Sequence, residues 1–467
     1  MLRLALSFEI RLLLRSRAAQ VALVAFLAIG SLSIFSAHRY SAQWEDAVET
    51  ARAAQQELIA ETRGYLEAGK GPEDRPWVDF SQPLWQDWYS GTRVVRTPNA
   101  MAGMASGAVD SAPAVFKVYR TANPLAAGGY RIENPELTVG AVDFVFVIGI
   151  LLPLLVAVLG LNVGSRERET HLDQLIAVQA GSLSGWLLNR MIAVAIVAAV
   201  AVIVLCLLFA GVVGAALGAT LALITIGMIY TALWSGLLLA INSKANSVSN
   251  AAFGFGAAWT VLCVLLPTLA SETALTRVQT DYALSETLDA RGARYDIYDQ
   301  ELSDVLPLLY RAYPGLTTRA AAANESLDNT VARHAYDGLL LLMLEERNRQ
   351  RREDELKASH VGMAATWMSP TVALALALER LAGVGPDAAS GYRDYLVSAV
   401  MTRGEWVLEQ AWDEQPLDQQ DYEALISSAP SAYEATAGDL STPVLALAVW
   451  MVAAWLFVGL RLRARSL

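Results

Sequence analysis

Few residues in this 467-residue chain have the types and spacing that catalysis requires. Residues 64–70 (GYLEAGK) match the first seven positions of a phosphate-binding P-loop. However, Gly71 stands where a Ser or Thr must bind magnesium, and no apolar strand leads into the segment. There is no Gly-x-Ser-x-Gly nucleophile motif. No two of the histidines have metal-ligand spacing: His38, His171, His334 and His360. We therefore expect no catalytic residue, bound cofactor or metal site in this chain.

A dense group of charges lies instead in residues 164–190, between two apolar spans. Its first part is charged (RERE, 166–169), and apolar residues follow at helical spacing: Leu172, Leu175, Ile176 and Val178. This pattern predicts a short helix that lies along the membrane surface and offers a charged face to the cytoplasm. We interpret the segment as a docking surface for a soluble partner, formed by Arg166, Glu167, Arg168, Glu169, His171, Leu172, Asp173 and Leu175.

The composition is that of an integral membrane protein. Hydrophobic residues make up 54 % of the sequence, and several apolar runs reach about 20 residues, the length that crosses a bilayer. The spans are predicted at about residues 18–37, 142–163, 187–211, 216–241, 251–270 and 443–460. The expected fold class is therefore a membrane all-α protein with six transmembrane helices. Two large, mainly helical insertions separate spans 1 and 2 and spans 5 and 6.

These spans divide the chain into five parts. In chain order they are an N-terminal interfacial helix with span 1 (1–37), a first insertion (38–140), spans 2–5 with the loop at 164–190 (141–270), a second insertion (271–440), and span 6 with a basic tail (441–467). A secretory signal peptide is a competing interpretation of the N-terminus. The first apolar run is long for such a peptide and lacks a small-x-small cleavage site, so we expect an uncleaved anchor.

The distribution of charge predicts the orientation. The net charge of −11 divides into −3 for residues 38–140, −14 for residues 271–440 and +6 for the rest. By the positive-inside rule, the basic segments and both termini are cytoplasmic, and the two acidic insertions lie outside. The acidic balance of the insertions argues weakly against a polyanionic substrate. Cys206 and Cys263 both lie in spans, so we expect no disulfide in the exported segments.

Each insertion contains residues with two interpretations. In the first, Trp77, Trp85 and Trp88 form either an aromatic ligand site or the core of a small domain, and we favour the core. In the second, a short apolar helix up to about Leu381 is too short to cross a bilayer, so we expect it to be buried, re-entrant or on the outer leaflet. Glu379 at its end is either a functional carboxylate or, as we favour, a surface or interfacial charge.

The layout of spans, loop and insertions resembles the ABC-2 class of ATP-binding-cassette permeases, in the branch with a DUF3526-type region. In the loop, the resemblance lies in Arg166–Glu169, Leu175–Ala180 and Arg190, and His171-Leu172 departs from the family's Gly-Thr. In the insertions it lies in Asn123–Ala127, Trp367, Ser369-Pro370, Leu381–Gly383 and Tyr392-Arg393.

The resemblance implies a type V-like permease subunit in a bacterial inner membrane. Two such subunits, identical or not, would bind a dimer of cytoplasmic ABC ATPases through the 164–190 loop, acting as a coupling helix. ATP and magnesium would be bound on the ATPases, and this chain would not itself be an enzyme. Members of the class mostly export, so the expected activity is ATP-driven export. The implied contacts are membrane lipid and a periplasmic partner, with no nucleic acid.

Other functions remain open on the sequence. The same membrane part would serve a non-transporting relay, in which ATPase strokes move the exported segments against envelope partners. An ion-coupled transporter is disfavoured because the spans hold almost no ionisable residues, which such a transporter needs within its bundle. A membrane-bound enzyme or a receptor is the remaining alternative.

Overall fold

The computed structural model describes residues 2–105, 113–125, 142–277, 282–323, 329–428 and 431–463. The structure is mostly helical (79 %). Six of its helices are long and apolar enough to cross a membrane. The prediction of a multi-span helical membrane protein is therefore confirmed at this level. Of the segments named above, Ala126 and Ala127 lie outside the described residues.

The chain begins with two consecutive helices. Helix α1 spans Leu2–Arg15, and helix α2 spans Arg17–Ala68. Ser16 separates them, and its side chain accepts a hydrogen bond from the backbone N of Ala19 as an N-cap. The 52 residues of α2 extend for about 78 Å at 1.5 Å per residue, far more than a bilayer needs. The P-loop-like residues 64–68 belong to the last turns of this helix, which ends at Gly69 in the left-handed conformation.

Of the remaining spans, spans 2 and 3 pack on α2, and span 4 packs on spans 3 and 6. Span 2 is α4, which consists of Phe144–Phe146, a π-helical turn Val147–Leu151 and Leu152–Gly160. Spans 3 and 4 are α7 (Leu183–Val213) and α8 (Leu217–Asn242). Span 5 is α9, which consists of Val248–Thr260, a second π-helical turn Val261–Leu265 and Leu266–Arg277, and span 6 is α16 (Ser441–Arg463).

The two π-helical turns meet a short helix that does not span the membrane, α13 (Pro370–Leu381). A π turn removes backbone carbonyls from the regular helical pattern, so they need other donors. In span 2, the carbonyl of Gly149 accepts from the hydroxyl of Tyr230 at 2.9 Å. In span 5, the carbonyl of Leu262 accepts from the hydroxyl of Ser369 at 2.9 Å. One face of α13 is buried among the spans, so of the three expected environments the structure selects the buried one.

The two insertions pack together into one body, which we call the insertion domain. It contains α3 (Pro83–Tyr89), α10 (Tyr282–Tyr298), α11 (Leu302–Ala312), α12 (Asn329–Met368), α14 (Pro386–Asp413) and α15 (Gln419–Ser428). Its sheet contains β1 (Thr92–Thr97), β2 (Val115–Val118) and β3 (Ala432–Glu434) in the order β2-β1-β3. Strand β1 pairs antiparallel with β2 and parallel with β3, so one sheet joins both insertions.

A buried ion network also joins the insertions. Asp87, fully buried on α3, accepts hydrogen bonds from the guanidinium groups of Arg120 at 3.1 Å and Arg403 at 2.6 Å. Arg120 also donates to Asp337 at 2.6 Å. Asp87 and Arg120 belong to the first insertion, whereas Asp337 and Arg403 belong to the second. Since buried charges are tolerated only when paired, the network holds the two insertions in one arrangement.

The expected aromatic core is wrong for two of its three members. Trp77 is 63 % exposed and Trp88 is 46 % exposed, while Trp85 is half-buried. For Trp88 the reason lies in α3, which turns Leu84 and Asp87 inward and leaves Trp88 on the outward face. Trp77 lies before this helix. The core of the domain is instead formed by residues such as Val94, Val118, Leu341, Tyr392 and Leu396.

Candidate docking site at the loop end of the bundle

The loop between spans 2 and 3 folds as two short helices. Helix α5 spans Ser165–Glu169, and helix α6 spans Asp173–Ala180. Three residues in the left-handed region make the turns around them: Gly164 (φ +86°), His171 (φ +57°) and Gly181 (φ +69°). Glycine is suited to such turns because it lacks a Cβ. The loop thus leaves span 2 sharply, reverses at His171 and enters span 3 after Gly181.

Half of the charged side chains of α5 are turned inward rather than toward solvent. Glu167 accepts a hydrogen bond from the backbone N of Gly164 at 2.7 Å and forms an ion pair with Arg190 of span 3. Arg190 also pairs with Glu9 of α1. The side chains of Arg190 and Glu9 are only 4 % and 3 % exposed, so the three charges form a buried cluster. This cluster fixes α5, α1 and span 3 to one another.

Arg168 and the exposed Glu169 connect α5 to spans 4 and 5. Arg168 donates to the carbonyl of Ala245 at 2.8 Å and to the carbonyl of Asn242, at the end of span 4. Glu169 accepts from the backbone N of Val248, at the start of span 5, at 3.1 Å. Asn242 in turn donates to the carbonyls of Gly160 and Val163 at 2.9 Å, at the end of span 2. Helix α5 is therefore fixed to spans 2, 3, 4 and 5.

Helix α6 has the opposite character, because none of its residues is buried. Its exposed apolar side chains are Leu172 (48 % exposed), which precedes it, Leu175 (52 %) and Val178 (83 %). Spaced three residues apart, they lie on one face. Arg166 and His171 are exposed, and Asp173 is half-buried. The expected charged face is therefore found only in part. Glu167 and Arg168 have partners inside the protein, while Glu169 is exposed together with Arg166 and His171.

Glu9 is a site residue that the sequence analysis missed. Burial raises its pKa above the ordinary value, and the charge of Arg190 opposes that shift. Arg190 also lies over the ring of Phe8, 5.4 Å from its centroid, and the ring of Phe8 packs on Trp186 at 5.9 Å. The sequence does distinguish Glu9, because it is the only acidic residue among residues 1–17. Helix α1 is thus part of the loop's support.

This arrangement connects the loop firmly to the bundle. Helix α5 contacts spans 3, 4 and 5 directly, and it reaches α1 through Arg190 and span 2 through Asn242. Among the described residues, no group of three or more His, Cys, Asp and Glu residues is placed to hold a metal ion. No protein-family model, no curated protein and no solved structure matches the chain.

Proposed function

We propose that this chain is the permease subunit of an ABC-2-type exporter, with α6 as the helix that docks on a separate cytoplasmic ATPase. One observation carries the proposal: α6 is wholly unburied, yet its base is fixed to α1 and four spans. A helix that served only to turn the chain would need no such base. The exposed face of Leu172, Leu175 and Val178 fits a groove of complementary shape on a soluble partner.

In this proposal the ATPase binds magnesium and ATP and hydrolyses the ATP. This chain provides the docking helix and the path for the exported molecule. Closure of the ATPase dimer moves α6, and α5 carries the movement into the spans. Because Arg168 and Asn242 tie the ends of spans 2 and 4 together, these spans move as one unit at this end of the bundle. The positive-inside rule places both termini and α6 on the cytoplasmic side of the membrane. The resemblance to ABC-2 permeases makes that membrane a bacterial inner membrane.

A second permease subunit fits best against span 5. This span is the least buried of the six, at 11 % of its apolar window, compared with 61 % for span 2. Its exposed side chains are large and apolar: Phe253, Val261, Val264, Leu265 and Leu269. We place the second subunit, identical or not, on this face, with the export path between the two copies.

A mechanical relay is the second candidate, and α2 favours it. This helix continues unbroken from Arg17 to Ala68 and so joins the membrane part to the insertion domain. It packs directly on that domain, since the Trp44 indole N–H donates to the carbonyl of Arg96 in β1 at 2.8 Å. A tilt of α2 caused by the ATPase would move the insertion domain, with or without a transported molecule.

Co-purification tests the docking role of α6. The protein, expressed with its neighbouring genes and extracted in detergent, is expected to retain an ATPase. The L175D/V178D variant should lose it, because acidic groups cannot enter an apolar groove without cost. The matched control is L356D, since Leu356 is 62 % exposed but lies on α12 in the insertion domain. Retention of the ATPase by L175D/V178D, or its absence from the wild type, would contradict the docking role.

Cysteine labelling separates export from relay. A reporter at Phe253 on span 5 should change its labelling rate with ATP if the span lines a path that opens. If only reporters in the insertion domain respond, the relay is the better account.

A further inference from the structure

The insertion domain contains a cleft whose local charge is opposite to that of the domain. Two cavities of about 260 and 440 Å³ adjoin there and share Arg120 and Arg294 as lining residues. The arginines of this cleft, which we call the arginine cleft, are Arg120, Arg291, Arg294, Arg333 and Arg347. No acidic residue of the described chain lines either cavity. This local excess of positive charge stands out because the two insertions together are strongly acidic.

The arginines differ in their availability. Arg120 is 5 % exposed and its charge is balanced by Asp87 and Asp337, so its role is structural. Arg291, Arg294 and Arg333 are exposed, and none of them forms an ion pair with a described carboxylate. In a domain with many carboxylates, three unpaired guanidinium groups around one cleft form a site of high potential for an anion.

One of the two cavities of the arginine cleft has mainly aromatic walls. Trp85, Trp88 and Tyr298 line the larger cavity, and the guanidinium of Arg294 lies 5.7 Å from the ring centroid of Tyr298. Trp88 packs edge-on against Tyr119 at 5.5 Å and still leaves 46 % of its surface in solvent. Indole rings so exposed provide a flat apolar surface for a ligand.

A nearby histidine adds no charge to the cleft. His334 is 1 % exposed, and burial together with the charge of Arg120 lowers its pKa to about 3. It is therefore neutral at physiological pH, and the charge of the cleft comes from its arginines.

We propose that the arginine cleft binds an organic anion in which a phosphate or carboxylate is attached to an apolar or aromatic body. Guanidinium groups bind such oxyanions in a bidentate manner, and the tryptophans cover the body. The anion comes either from a soluble molecule or from the headgroup of an acidic lipid. The proposal does not depend on the ATPase, because the cleft lies in the insertion domain and α6 at the opposite end of the bundle.

Calorimetric titration of the full-length protein in a neutral detergent tests this site, with phenyl phosphate as the probe. Wild type is expected to bind phenyl phosphate more tightly than inorganic phosphate or phenol, and more weakly as salt increases. The R294Q/R333Q variant should bind at least about tenfold more weakly, because two charge-assisted contacts are lost. Its fold should be retained, since both side chains are exposed and without ion pairs.

The matched control is R349Q. Arg349 is an exposed arginine on α12 that pairs with Glu346 and Glu353 and does not line the cleft, so its replacement should leave binding unchanged. If phosphatidylglycerol vesicles compete with phenyl phosphate and phosphatidylcholine vesicles do not, the site binds a lipid headgroup. If neither kind of vesicle competes, the site binds a soluble anion. No binding by wild type, or equal weakening in R294Q/R333Q and R349Q, would overturn the proposal.

Discussion

Glu9 and Arg190 are 181 residues apart in the sequence and form a buried ion pair at the loop end of the bundle. The pair joins the N-terminal helix to span 3, and Glu167 joins the same guanidinium to the docking loop. Because Arg190 is the shared cation, the position of α6 depends on a residue that lies outside its own helix. The N-terminal helix is therefore a structural support of the proposed docking site rather than a simple membrane anchor.

Replacing Arg190 with Met should destabilise the protein by about 3–5 kcal/mol, because two carboxylates are left buried without their cation. The measurement is the unfolding transition of the purified protein in detergent. The control is R166M, since Arg166 is exposed on the same loop and its replacement should cost about 0.5 kcal/mol or less. If R190M is no less stable than R166M, the buried cluster does not support the loop.

The spans were predictable from sequence because the bilayer imposes a length. Span 2, expected at residues 142–163, is found as a helix over Phe144–Gly160, and span 4, expected at 216–241, is Leu217–Asn242. The same argument does not reach the water-exposed part of α2. The sequence indicates a helix from Trp44 to Leu66 at the start of the first insertion. Beyond the bilayer no thickness sets the length of a helix, so its unbroken continuation from span 1 was not predicted.

Contacts between distant segments were not predictable in the same way. The pairing of β1 with β3 joins Val95 to Ala432, and strands of six and three residues are too short to stand out in the sequence. In the loop, the residue pattern gave two faces, one charged and one apolar. Which face points outward depends on the partners that Glu167 and Arg168 find in spans 3 and 4, and these partners are far away in sequence.

Replacing Asp87 with Asn should destabilise the insertion domain by about 3 kcal/mol or more, because Arg120 and Arg403 lose a shared, fully buried carboxylate. Limited proteolysis of the folded protein would detect this as faster cleavage within residues 282–428. The D79N variant is the control, since Asp79 only accepts exposed hydrogen bonds from Ser81. Equal cleavage of D87N and D79N would contradict the role of the network.

Glu379 should make the stability of the protein depend on pH. Burial, with a smaller effect from the charge of Asp143, raises its pKa to about 7 from an ordinary value of 4.5. The carboxyl of Glu379 therefore stays protonated to a higher pH in the folded protein than in the unfolded chain. The folded protein loses stability as the pH rises from about 4.5 to about 7. The expected surface or interfacial charge is thus found as a half-buried carboxyl at the end of α13.

The E379Q variant removes this ionisation. It should be more stable than wild type by up to about 3 kcal/mol at a pH above 7, and equally stable at about pH 4. Thermal unfolding at the two pH values measures the difference. The control is E57Q, since Glu57 is exposed on α2. This variant should have the same stability as wild type at both pH values. A constant difference between E379Q and wild type across this range would contradict the raised pKa.

Cysteine labelling should establish the orientation of the protein. The native thiols, Cys206 and Cys263, are 1 % and 5 % exposed, so wild type should give little background. New cysteines replace exposed residues: Glu57 on α2, Arg349 on α12 and Lys244 between spans 4 and 5. Because the loop end is basic and the insertions are acidic, E57C and R349C should react with an impermeant maleimide on intact cells.

K244C should react with the reagent only after the membrane is permeabilised. R349C loses only exposed ion pairs with Glu346 and Glu353, which contribute about 1 kcal/mol or less, so the variant should remain folded. Arg351 is a poorer reporter, because its side chain is only 14 % exposed. Labelling of K244C but not of E57C and R349C on intact cells would reverse the orientation and place α6 on the side of the membrane without ATP.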